Sequence, residues 1–139
     1  MKLLIITLMM FFLSFGVSAD GKATVEKYYK YCKPLQNNGF ELQGLSKKKQ
    51  IGAIVCNNVL NSIKDIGARN CVALQELRKQ KKINKKQFQE FSFYFANSNA
   101  STNAIISSFI KYAEDNPEKW DRPIYDASYY FLIDKFSCK

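Results

Sequence analysis

The chain has 139 residues, with 21 Lys and Arg against 12 Asp and Glu, a net charge of +9, and no histidine. The lack of histidine excludes His-based triads, Cys–His dyads and His-ligated metal sites. The length suits one domain with a core of its own.

The first residues, MKLLIITLMMFFLSFGVSA, follow the order of a secretory signal peptide. Lys2 is the positive n-region, Leu3 to Phe15 the apolar h-region, and Val17-Ser18-Ala19 a small-residue cleavage site. The apolar run is short for a spanning helix, and Asp20, Gly21 and Lys22 follow it directly. The expectation is a leader over 1–19 and a single mature domain over 20–139. Cleavage removes Lys2 alone among the charged residues, which lowers the net charge by one, to +8. Cys32, Cys56, Cys71 and Cys138 all fall in the mature part, and an even count in an exported chain implies two disulfides.

In chain order, Gly21 to Cys32 predicts a short helix with Val25, Tyr28, Tyr29 and Cys32 on one face, stopped at Lys33-Pro34. Leu35 to Leu45 is a polar loop. Ser46 is a plausible N-cap for one long helix from Ser46 to Lys79, along which Ile51, Val55, Val59, Ile63, Ile66, Leu74 and Leu77 recur at helical spacing. Gly52 and Gly67 lie inside it and mark a close helix approach or, at Gly67, a kink or break. Cys56 and Cys71 would stand on nearly the same face of this helix, about 22 Å apart along its axis. A disulfide needs Cα atoms within about 7 Å, so a continuous helix forbids bonding them to each other.

Arg78 to Lys86 holds six basic residues in nine: Arg78, Lys79, Lys81, Lys82, Lys85 and Lys86. Cations suit a helix C-terminus, so a solvated helix end and turn accounts for them; the sharper alternative is an anion-binding patch. Asn84 with Gln87 resembles a capping box, opening a short aromatic helix of Phe88, Phe91, Phe93, Tyr94 and Phe95 that ends near Ala96. A polar turn from Asn97 to Thr102 caps the next helix. There Ile105, Ile106, Phe109, Ile110 and Ala113 recur at helical spacing up to Asn116, before Pro117. Pro123 suits the first turn of a last helix, Ile124 to Phe136, apolar on nearly every side and therefore expected at the centre of the molecule. No stretch has the alternation of a strand. The fold class expected is all-α, a compact bundle of four to five helices with two disulfides.

Two pairings survive the exclusion of Cys56–Cys71: 32–56 with 71–138, and 32–71 with 56–138. The loop after Cys32 can fold back onto the start of the long helix. If the last two helices are antiparallel about their tight corner, Cys138 arrives level with Cys71. The expected bridges are Cys32–Cys56 and Cys71–Cys138.

Glu114, Asp115, Glu118 and Asp121 are the one acidic cluster, and they flank helix ends, where capping and solvation account for them better than a paired-carboxylate reaction does. No residues make a catalytic constellation, so the chain is expected to work by binding, without cofactor or metal.

The segments Phe95 to Ile106, Phe109 to Trp120 with its Asn-Pro, and Ala127 to Cys138 resemble the Rap/Tai immunity proteins of type VI secretion systems, with weaker support from Ala53-Ile54-Val55-Cys56. The chain departs from that pattern where it has Ala96 and Ser98 in place of Cys and Pro, and where Ser137 replaces the proline before the last cysteine. The resemblance implies a periplasmic protein that binds a cell-wall amidase toxin and covers its cleft, with no nucleic acid, no membrane after signal cleavage, and a possible homodimer. The alternative is a disulfide-braced exported binding or stress protein that uses the basic patch on an anionic partner.

Overall fold

The computed structural model describes residues 22–92 and 100–138, without the side chains of 92 and 133–135. The leader expected over 1–19 and the aromatic and turn residues from 93 to 99 lie outside the described residues. Among the described residues there are five α-helices, one 3-10 turn and no strand: α1 Val25–Asn37, α2 Lys47–Lys79, α3 Lys85–Ser92, α4 Thr102–Asp115, the 3-10 turn Pro117–Lys119, and α5 Ile124–Phe136. This is the all-α, twice-bridged bundle that the sequence predicts.

α1 starts where the Thr24 hydroxyl accepts from the Lys27 N–H at 3.3 Å. It does not stop at Lys33-Pro34, as the sequence predicts, but runs through Pro34 to Asn37. The extra turn carries Leu35 into the core, where it is buried. The turn is then closed by a Schellman motif: Phe40 N–H donates to Leu35 C=O at 2.9 Å and Gly39 N–H to Gln36 C=O at 3.1 Å. The burial of Leu35 and these two bonds offset the one ladder bond that Pro34 cannot make.

α2 has the extent predicted and is continuous through Gly67. Ser46 holds the N-cap position, although its side chain makes no capping bond. The buried face is only partly the one predicted: of the seven residues expected there, Ile63 and Leu74 are buried. Ala53, Cys56, Leu60, Ile63, Gly67, Cys71 and Leu74 point inward, while Ile51, Ile54, Ile66 and Leu77 are exposed and Val55 and Val59 are half-buried. At Ile51, Val55, Val59 and Ile66 the buried position is the next one along, Gly52, Cys56, Leu60 and Gly67, a shift of about 100° of helix rotation. The disulfides set that phase, because Cys56 and Cys71 must both face partners inside the bundle. Gly52 is where α1 comes closest: a Cβ there would sit 2.9 Å from a Tyr31 ring carbon and 3.6 Å from the Tyr31 Cα.

α4 is the central helix. It packs against α1, α2 and α5. Its Ile105, Ile106, Phe109, Ile110 and Ala113 are among the most deeply buried side chains of the main core. Ser101 caps it, accepting from the Ala104 N–H at 3.2 Å. The central place predicted for α5 is thus taken by α4. α5 buries Ile124, Ala127, Phe131 and Leu132 on one side and leaves Tyr125 and Tyr130 exposed on the two flanks of that side. Tyrosine counts as apolar in a periodicity, yet its hydroxyl is content in water, so the helix sits half out of the core.

The corner between α4 and α5 anchors the start of α1. The first-turn N–H groups of Val25 and Glu26, which have no helical partner, donate to Arg122 and Trp120 carbonyls at 2.9 and 3.0 Å. Ile124 N–H donates to Ala23 C=O at 2.7 Å. Trp120 stacks on Tyr29 with ring centroids 5.3 Å apart, and its Nε1–H donates to Ala113 C=O at 2.7 Å.

Candidate protein-binding surface

The four cysteines pair as the geometry predicts. Cys32 is bonded to Cys56, Cα atoms 5.3 Å apart, and Cys71 to Cys138, 5.5 Å apart. The first bridge lies in the main core between α1 and α2. The second holds the segment after α5 against α2, in a smaller cluster with Leu74, Phe88 and the flanking Ile83. Both are structural bridges and neither leaves a free thiol.

The basic residues Arg78, Lys79, Lys81, Lys82, Lys85 and Lys86 sit where α2 ends and turns into α3, and all are exposed. Lys82 N–H donates to Leu77 C=O and Lys81 N–H to Arg78 C=O, both at 3.0 Å, with Lys81 at φ 56°. This is a second Schellman turn. The predicted capping box follows it: Asn84 N–H donates to Gln87 Oε1 and Gln87 N–H to Asn84 Oδ1, both at 2.9 Å. Arg78 lies over the Phe88 ring, 4.7 Å from its centroid, and Lys79 pairs with Glu76 at 2.7 Å. Lys81, Lys82, Lys85 and Lys86 have no ion-pair partner among the described residues. A helix end and turn thus accounts for the backbone here, and four unpaired ammonium groups remain for solvent or an anion.

Three of the four carboxylates of the acidic corner are paired with lysines. Glu114 is held by Lys33 Nζ at 2.7 Å and by the Tyr29 hydroxyl at 3.0 Å. These two bonds, Lys33 first, draw its pKa below the ordinary carboxylate value. Asp115 pairs with Lys111 at 2.8 Å and Glu118 with Lys119 at 3.8 Å. Each of these three carboxylates faces a cation, which is what helix-end solvation requires.

A surface the sequence did not single out is the outer side of α5. Tyr130 stacks on Tyr112, centroids 6.0 Å apart and planes 7° from parallel. Tyr129 meets Tyr130 edge-on at 5.1 Å. Lys119 Nζ stands 5.3 Å from the Tyr130 centroid and 6.0 Å from that of Tyr112. The Tyr112 hydroxyl is buried without a hydrogen-bond partner among the described residues, and burial raises its pKa. A shallow cavity of about 170 Å³ opens beside the pair, lined by Ser108, Lys111, Asp115, Asn116 and Phe131. The signal for this surface was present: Tyr125, Tyr129 and Tyr130 crowd one short stretch, and tyrosine is enriched where an apolar surface must also tolerate water. Counting them as core residues hid it.

Against known proteins, the chain matches no protein-family model, no curated protein and no solved structure. Among the described residues no helix is long and apolar enough to cross a membrane.

Proposed function

We propose that this is an exported protein that binds a partner protein through the tyrosine surface of α5 and acts by occluding it. The observation that supports this reading is the exposed Tyr130, stacked on Tyr112 with Lys119 beside it, on a helix tied at its far end by Cys71–Cys138. Tyrosines that are rigidly held and partly wet supply contact area at low entropic cost, and they concentrate binding energy at interfaces. The two disulfides suit an oxidising compartment such as the periplasm, and the signal-like residues 1–19 point the same way. The resemblance to Rap/Tai immunity proteins gives the partner its class, a peptidoglycan amidase delivered by a type VI secretion system. A second reading rests on Lys81 and Lys82 in the turn after α2 and Lys85 and Lys86 at the start of α3, four cations without an ion-pair partner among the described residues, which would favour an anionic partner instead.

The test is pull-down from periplasm followed by an amidase assay on peptidoglycan. The protein should suppress the co-purified amidase at near-equal molar ratio and release no fragments by itself. A double change, Tyr125→Ala with Tyr130→Ala, should weaken suppression while helix content is kept. Retained suppression in that variant would move the contact elsewhere. Loss on Lys→Ser changes at the four lysines would favour the second reading. Turnover of peptidoglycan by the protein alone would overturn both.

A further inference from the structure

A cavity of about 340 Å³ opens between the loop after α1, the first half of α2 and the start of α4. Leu35 and Ala53 line it and are buried, and Leu42 and Ile54 line it at 41% and 45% exposure. Its polar lining is three exposed asparagines, Asn57 and Asn58 of α2 and Asn103 of α4. Among the described residues no charged group lines it, in a chain with a net charge of +9. The cavity beside Tyr112 and Tyr130 has Lys111 and Asp115 in its lining. Others have Lys30, Lys33 and Lys49, or Arg78 and Lys79.

Both walls of this cavity are pinned. Phe40, on the loop side, stands at φ 67°, uncommon for any residue but glycine and an outlier for one so bulky. Asn38 Nδ2 donates to the Glu41 and Gln43 carbonyls at 2.8 and 2.7 Å, and Gln50 Nε2 to the Leu42 carbonyl at 3.2 Å. The Leu42 backbone is thus tied to α2 while its side chain stays partly in water. On the other side Thr102 Oγ1 donates to Asn61 Oδ1 at 2.8 Å, which seats the start of α4, and with it Asn103, against α2. The side chains of Asn57, Asn58 and Asn103 have no hydrogen-bond partner among the described residues. Exposed leucine and isoleucine, unpaired carboxamides and a strained backbone meet in one place, and strain of this kind clusters at ligand sites.

We propose that this cavity takes an extended, uncharged, apolar peptide segment of a partner protein. An apolar hollow with a few convergent polar groups is the general form of a ligand site. A carboxamide carries an N–H donor and a C=O acceptor, the same two groups as a peptide unit, so the asparagines match the backbone of an extended chain. The apolar wall then takes one aliphatic side chain of the segment and gains affinity from its burial. A helical segment has its backbone groups bonded internally and offers the asparagines nothing. A lipid chain has no amides to offer, and an acidic segment finds no cation in this lining. α5 contributes nothing to the lining, so this inference stands or falls apart from the tyrosine surface.

Titrating the isotope-labelled, oxidised protein with the capped peptide acetyl-Ser-Val-Leu-Val-Ser-amide, read by NMR, decides it. The expected result is a saturable shift of the Asn57, Asn58 and Asn103 side-chain signals and of the Leu42 and Ile54 methyls. Its dissociation constant should be high micromolar to millimolar, because one side chain and a few hydrogen bonds must offset the ordering of the peptide. Methylating the two valine nitrogens of the probe removes donors to the asparagines and should weaken it about tenfold. Asn57→Ala with Asn103→Ala should weaken the parent peptide by a similar factor, and in that variant the two peptides should bind alike. Ile54→Ser should weaken both peptides with helix content unchanged. No saturable shift at these residues, or equal binding of the two peptides by the parent protein, would overturn the proposal. So would undiminished binding of a probe with glutamate in place of its leucine, or hexanol binding as tightly as the peptide, which would leave only an apolar hollow.

Discussion

Gly39 and Lys81 hold the same place in two helix ends. Each is the left-handed residue of a Schellman motif, Gly39 at φ 65° after α1 and Lys81 at φ 56° after α2. Both turns return two N–H groups to the last carbonyls of their helix. A side chain in that conformation costs about 1–2 kcal/mol, which glycine avoids.

Lys81→Gly should therefore stabilise the protein, despite the greater freedom that glycine gives the unfolded chain. The net gain should be up to about 1 kcal/mol. Gly39→Ala should do the reverse by a similar amount, since nothing crowds its Cβ position and only the backbone is strained. Urea unfolding of the two variants measures both. Equal losses at the two sites would mean that the Lys81 side chain has a stabilising contact that outweighs its backbone.

The Lys33–Glu114 pair and the Tyr29 hydroxyl give one term of acid sensitivity. They lower the Glu114 pKa in the folded chain, so the folded carboxyl binds its proton more weakly than the unfolded one. The associated stability is fully present above the ordinary carboxylate value and is lost as pH falls through the depressed one. The side chains are 32% and 42% exposed, which screens the pair to no more than about 1 kcal/mol. Glu114→Gln should thus be less stable than the parent at neutral pH, and the gap should close below the folded pKa. A gap of the same size at both ends of the titration would show that the loss is packing and not charge.

Most of the fold was legible because its signals are local. The extents of α2, α4 and α5 follow from Ser46, Ser101, Pro117 and Pro123, and the Asn84–Gln87 capping box from two residues. The disulfide pairing was also legible, since the length of a continuous helix excludes Cys56–Cys71 and the antiparallel corner before the last helix brings Cys138 level with Cys71. What the sequence did not convey was orientation. The apolar residues of α2 describe a face, but two apolar faces are available on it, and only the direction of Cys56 and Cys71 distinguishes them. Pro34 misled because a stop signal competes with the burial of Leu35, a tertiary gain invisible to local rules. The same blindness affected the surface: Tyr125 and Tyr130 on α5, and Ile54 on α2, all look like core by hydropathy. Each becomes a candidate contact only once the inward side of its helix is known.

The two bridges should not contribute equally. Cys71–Cys138 closes 67 residues of chain and Cys32–Cys56 closes 24. If the bridges act mainly by restricting the unfolded chain, they stabilise by about 4 and about 3 kcal/mol, a difference of about 1. Packing argues the other way. Cys32 and Cys56 are fully enclosed in the main core, whereas Cys71 and Cys138 lie in the smaller cluster at the far end of α2. Replacing each pair by alanines and comparing urea midpoints and slopes separates the two effects. We expect the Cys71→Ala, Cys138→Ala protein to lose more, and α5 to gain the faster amide exchange toward Phe136, where its tether is gone. A larger loss in the Cys32→Ala, Cys56→Ala protein would show that sulfur packed between α1 and α2 matters more to stability than the length of chain the bridge closes.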